Sequence, residues 1–130
     1  MSDYVIDTHS LVWYFARPQR LGPNATEALA QVEAGPARLI VPVIVIAELI
    51  LTLEHKPAIA NLNFILQQLQ ASSNVSLPDL TLVRTLDLRA LTAIPDIHDR
   101  LIVAEAVARG LPLITNDQLI TASGLVNVVW

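Results

Sequence analysis

Four acids in this chain stand where a carboxylate calls for a reason. Asp7 ends the apolar run Tyr4-Val5-Ile6, and Glu48 lies between Ala47 and Leu49 in the most apolar window of the chain. Asp99 falls in the first turn of the helical stretch opened by Asp96-Ile97-His98, and Asp117 follows the run Leu111-Pro112-Leu113-Ile114-Thr115 by two residues. Each has a local explanation. Asp7 can cap a helix beginning near Thr8, Asp117 the turn after its strand, and Asp96 with Asp99 a capping box in which Asp replaces Glu. Glu48 can point to solvent. Considered together, they form an oxygen-only donor set with no cysteine, no lysine, and only Arg100 as a basic neighbour in sequence. Such a set repels itself in a low-dielectric cleft unless a cation neutralises it. Oxygen donors without thiolate select Mg²⁺ or Mn²⁺ over Zn²⁺. Carboxylate-held Mg²⁺ in turn serves phosphate chemistry, polarising a phosphoryl oxygen and activating water.

This chemistry requires a fold that gathers residues far apart in sequence. Glycine and proline punctuate the chain clearly. Residues 3–7 read as a short buried strand and Thr8–Phe15 as a helix stopping before Arg17-Pro18. A second helix opens at Pro23-Asn24, runs to about Val32, and is closed by Gly35-Pro36. Arg38–Pro42 reads as a strand. Val43–His55 has a strand-like start but reads as a helix, because Pro42 can open it, Ala47-Glu48-Leu49 favour it, and it is too long for one buried strand.

Ala58–Ala71 is amphipathic, with Ile59, Leu62, Ile65, Leu66 and Leu69 on one side. Asn74–Pro78 reads as a brief strand, Asp79–Leu91 as a helix, Asp96–Gly110 as a helix, and Leu111–Thr115 as a strand. Asn116-Asp117 then forms a turn before a last strand, Val126–Val129. Short strands alternating with helices indicate an α/β fold: one domain, 1–130, with a mostly parallel sheet of four to five strands flanked by helices in three layers. Such sheets bind ligands beyond the carboxyl ends of their strands, where the strand order reverses. Asp7 and Asp117 belong to that edge.

Composition narrows the field further. The chain has 130 residues, a hydrophobic fraction of 53%, and charged residues at 15%; its mean hydropathy is +0.51. The longest apolar span, Leu39–Leu53, is shorter than the roughly 20 residues that cross a bilayer and is interrupted by Pro42 and Glu48. Asp3 and Asp7 occupy the place of a basic leader, so a secretory signal is not expected and a cytoplasmic location is. The absence of cysteine excludes disulfides and thiol nucleophiles. With a net charge of −4 and a single lysine, Lys56, a nucleic acid could be held only locally, by a few arginines or by metal ions. The apolar excess suits a buried subunit interface.

The segments VIDTHSLVWYF, PVIVIAELIL and PDIHDRLIVAEAVARGLPLITND resemble the signature blocks of PIN-domain ribonucleases, above all the short VapC-type toxins of bacterial toxin–antitoxin pairs. The resemblance covers nearly the whole chain, with order and spacing retained from Asp7 to Asp117. It implies a single PIN-like domain in which Asp7, Glu48, Asp99 and Asp117 are the four catalytic acids. Asp7, Asp99 and Asp117 would hold one or two Mg²⁺ or Mn²⁺ ions, with Glu48 completing the shell or orienting the attacking water. Thr8 and either Thr115 or Asn116 would be the accompanying polar residues.

The implied activity is endonucleolytic cleavage of RNA by a homodimer that a cognate antitoxin inhibits. Asp96-Ile97-His98-Asp99 departs from the family's Arg-Asp-Pro-Phe-Asp type of loop, with His98 in the aromatic position. That leaves Asp96 as a supporting acid or a cap, His98 as a proton-transfer group or a packing residue, and Arg100 as a phosphate contact or a partner of Asp96. Trp13 and Tyr14 suit either a partner surface or the core. The rival reading is a catalytically silent PIN-fold module that acts by binding protein.

Overall fold

The computed structural model describes residues 2–130. Its centre is a five-stranded sheet, entirely parallel, in the order β3-β2-β1-β4-β5. The strands are β1 (Tyr4–Ile6), β2 (Leu39–Ile40), β3 (Val75–Ser76), β4 (Leu113–Ile114) and β5 (Val128–Val129). These are shorter than the apolar runs that form them, yet the ladder continues beyond them. Asp7 N–H donates to the Ile114 carbonyl, Val41 N–H to Ser76, and Thr115 N–H to Val129. Val5, Ile6, Leu113 and Ile114 are fully buried, as expected of strands covered on both faces.

The helices are α1 (Thr8–Ala16), α2 (Pro23–Ala34), α3 (Val43–His55), α4 (Leu62–Ala71), α5 (Leu82–Leu86), α6 (Ile97–Arg109) and α7 (Gln118–Ser123). The ambiguous stretch after Pro42 is helical, and Val45, Leu49 and Leu53 recur every fourth residue on its buried face. Their apolar stripe holds the segment against the core, where four-residue spacing has no use in a strand.

Three boundaries differ from the sequence reading. The helix expected from Ala58 starts at Leu62, because Asn61 accepts a hydrogen bond from Phe64 N–H and caps it there. The helix expected from Asp79 to Leu91 is a short α5 capped by Thr81, followed by a 3₁₀ turn at Asp87–Ala90. Asn116-Asp117 is not merely a turn: Asp117 accepts from Ile120 N–H at 2.9 Å and starts α7, whose Ile120 is fully buried. A further 3₁₀ turn, Pro18–Arg20, joins α1 to α2.

The chain ends against its own beginning. Gly22 has so little room that a Cβ there would lie 2.4 Å from the Trp130 carbonyl carbon. Asn24 N–H donates to the Trp130 carbonyl at 2.9 Å, and the Trp130 ring meets Trp13 edge-on with 5.8 Å between centroids. Trp130 is therefore tied down, and Trp13 is fixed with it. A second clamp joins α5 to α6. The buried carboxylate of Glu105 accepts from Arg84 at 2.6 Å and Arg109 at 2.8 Å, which meets the condition that a buried charge be paired. No helix among the described residues is long and apolar enough to cross a membrane.

Candidate active site

Strand order reverses between β1 and β4. From β1 the chain runs outward through β2 to β3, and it returns on the other side as β4 and β5. Because Ile6 pairs with Ile114, the residues just beyond each strand, Asp7 and Thr115, emerge side by side at the carboxyl edge. Asp7 is 7% exposed there and has two donors. Oδ1 accepts from Ser10 N–H at 3.0 Å, which caps α1, and Oδ2 accepts from the fully buried Thr115 hydroxyl at 2.5 Å. Thr115 Oγ1 in turn accepts from Asp117 N–H at 3.0 Å. One hydroxyl thus links two acids from opposite ends of the sequence and sets their spacing.

Asp99 arrives on α6, whose start is fixed by Asp96: one carboxylate oxygen accepts from His98 N–H at 2.8 Å and Asp99 N–H at 3.1 Å. Asp7, Asp99, Asn116 and Asp117 then line one cleft of about 370 Å³, together with His9, Ser10 and Trp13. Glu48 reaches the same region from α3. It accepts a 2.7 Å bond from the Thr8 hydroxyl and lies 3.7 Å from His98 Nδ1, which is also 3.5 Å from Asp96.

The electrostatic consequence falls on Asp99. Burial above all, then the neighbouring charges of Asp117, Asp96, Glu48 and Asp7, lift its carboxyl from 3.8 to about 6. Asp7, Glu48 and Asp117 are thus all within electrostatic reach of Asp99, although the four come from the starts of α1, α6 and α7 and from the middle of α3.

Among the described residues, no three His, Asp or Glu side chains close upon one point tightly enough to form a finished ion site. Like charges stay apart, and Asp7 and Asp117 are each held by their own N–H or hydroxyl donors. In donor type and charge the cleft still fits a hard divalent ion: carboxylates of three segments face it, and relief of their repulsion favours cation entry.

Other expectations resolve plainly. Thr8 serves Glu48, Asp96 is the cap of α6, and Thr115 rather than Asn116 makes the bond to Asp7, while Asn116 faces the cleft. Arg100 makes no ion pair with Asp96. Its guanidinium donates to the carbonyls of Ile94 at 2.6 Å and Leu88 at 3.4 Å and so braces the loop before α6.

His9 stands at the rim, 6.1 Å from the Trp13 ring, and His55 bonds the Leu51 carbonyl at the end of α3. Tyr14 bonds Glu33 of α2 and packs on Phe15. Two cleft residues escaped the sequence reading, Ser10 and Trp13. Their spacing of three and six from Asp7 along α1 was the available signal.

A parallel α/β sheet with carboxylates gathered at its switch point is the architecture of a ligand- or ion-binding site at the strand ends. The chain belongs to the PIN-domain family, whose profile matches residues 4–122. No curated protein matches it in sequence. Among solved structures it is similar to VapBC2 from Rickettsia felis bound to a promoter DNA fragment, at 17% identity, a TM-score of 0.66, and 97% and 96% of the two chains covered. A toxin–antitoxin complex from Klebsiella pneumoniae gives 19% identity, a TM-score of 0.65, and 95% and 94% coverage. DNA-bound VapBC from Salmonella typhimurium gives 19%, 0.66, and 98% and 97%.

Proposed function

We propose that this chain is a divalent-metal-dependent endoribonuclease, the toxin of a toxin–antitoxin pair. The observation that carries the reading is the convergence of Asp7, Asp99 and Asp117 on one cleft, with Asp99 lifted to about 6 by burial and by the acids around it. Asp7, Asp99 and Asp117 would hold Mg²⁺ or Mn²⁺, which when bound supplies phosphoryl polarisation and an activated water. Thr115 holds Asp7 in orientation. Thr8 holds one oxygen of Glu48, whose other oxygen faces His98 and would complete the ion's shell or orient the attacking water. His98 lies between Glu48 and Asp96.

Family membership and the toxin–antitoxin neighbours support the toxin reading and an antitoxin partner. The exposed side chains of Leu80, Leu82, Val83 and Leu86, concentrated around α5, support burial of that face in a homodimer or by the antitoxin. The reading is tested by incubating purified protein with total RNA in Mg²⁺, in Mn²⁺ and in EDTA, beside the Asp7→Asn variant. Fragments that appear only with metal and only with Asp7 are expected. Intact RNA in every lane would favour the catalytically silent binding module instead.

A further inference from the structure

The acidic cleft leaves a physical problem for an anionic substrate: the protein around it is itself net negative, at −4. The eight Lys and Arg residues are not evenly distributed over the surface to solve it. Arg84 and Arg109 are bound to Glu105, while Arg89 and Arg100 donate to backbone carbonyls. Arg38 stands at the amino end of β2, the opposite end of the sheet from the acids. Arg17, Arg20 and Lys56 are different. All three are exposed, none forms an ion pair among the described residues, and all three line one groove of about 320 Å³. They come from three places: the end of α1, the Pro18–Arg20 turn, and the end of α3.

The groove is amphipathic. Val12, Trp13 and Ile59 give it apolar walls, and Thr8 and Thr52 supply hydroxyls. The Arg20 guanidinium sits 5.9 Å from the Trp13 ring centroid. His9 and Trp13 line both this groove and the acidic cleft, so the two run into each other along α1.

We propose that this groove seats the backbone of a single RNA strand and leads it into the acidic cleft. Three cations without ion-pair partners line a groove whose wall includes Trp13, a combination of charge and aromatic surface that suits a single phosphodiester strand. An acidic peptide would satisfy the same cations, but it has no reason to continue into the carboxylate cleft, whereas a phosphodiester is the group proposed to react there. The inference rests on the ribonuclease reading for its choice of polymer. The charges and the shape of the groove stand independently of it.

The test is binding, kept apart from cleavage. Anisotropy of a fluorescein-labelled oligouridylate in EDTA is titrated with the full chain and with Arg17→Ala, Arg20→Ala, Lys56→Ala and the triple variant over a range of salt. Each single change is expected to weaken binding about threefold and the triple about thirtyfold, with the salt slope falling by about 0.7 per charge removed. Circular dichroism checks that the variants fold.

Wild-type affinity and slope in the triple variant would overturn the proposal, as would no measurable binding by the unaltered chain at low salt. Loss of binding to labelled polyglutamate with oligouridylate binding intact would overturn it in favour of a peptide groove. If Asp7→Asn cleaves normally while the groove variants still lose oligouridylate, the ribonuclease assignment fails and the groove survives.

Discussion

Burial first, and then the repulsion of the surrounding acids, penalises a charged Asp99, so removing its charge should strengthen the metal-free fold. Its carboxyl lies at about 6 in the folded protein against an ordinary 3.8. Because the folded value is the higher one, the folded state binds a proton that the unfolded chain has already released. Stability is therefore complete below the unfolded value and falls as pH rises through the folded one. At full strength the difference costs about 3 kcal/mol at neutral pH. The cleft is partly open to water, which screens the charges and leaves about 1–2 kcal/mol.

Asp99→Asn should then raise Tm in EDTA by about 3–8 °C at about pH 7.5. At about pH 4.5 the gain should shrink to about a third of that, because the wild-type carboxyl is by then mostly protonated in the fold. Mg²⁺ should raise the Tm of the wild type and much less that of the variant, since the ion relieves the same repulsion that the substitution removes. Thermal unfolding followed by circular dichroism reads all three. An equal gain at both pH values, or a Tm below wild type at neutral pH, would refute the idea that Asp99 bears this repulsion.

Four further outcomes follow from particular contacts. Asp7→Asn should abolish metal-dependent RNA cleavage while leaving circular dichroism unchanged, since Asn caps α1 about as well as Asp. Thr115→Val should cost about 2 kcal/mol in urea unfolding, because Asp7 and the Asp117 N–H each lose a partner; Thr115→Ser should recover most of it. Glu105→Gln should cost about 1–3 kcal/mol by removing the buried partner of Arg109 and of Arg84, which keeps only its exposed pair with Asp87. Its cleavage rate at temperatures well below Tm should match wild type. Gly22→Ala should displace Trp130, with a red shift in tryptophan emission and a loss of about 1–3 kcal/mol from overpacking.

Much of this protein could be read from local chemistry. The alternation of short aliphatic runs with punctuated helices identified a parallel α/β sheet, and all five strands lie within the runs that nominated them. The helix-capping roles of Asp7 and Asp96 could be foreseen because a cap acts on residues two or three positions away, whereas Asp117, read as a turn residue, caps α7. Helix beginnings at Leu62 and Leu82 were harder to see. There Asn61 caps the helix three residues into the amphipathic run, and Thr81 caps the next one in place of Asp79.

What the tertiary structure alone decided concerns partners distant in sequence. Nothing near Arg100 said that its guanidinium would bind the Ile94 and Leu88 carbonyls instead of Asp96. Nothing near Thr115 said that its hydroxyl would join Asp7, 108 positions away. Residue types and short spacings determine which elements form, because those energies are local. Which carboxylate bears the strain, and which cations remain free to meet an anion, depend on burial and long-range pairing, which exist only once the sheet is assembled.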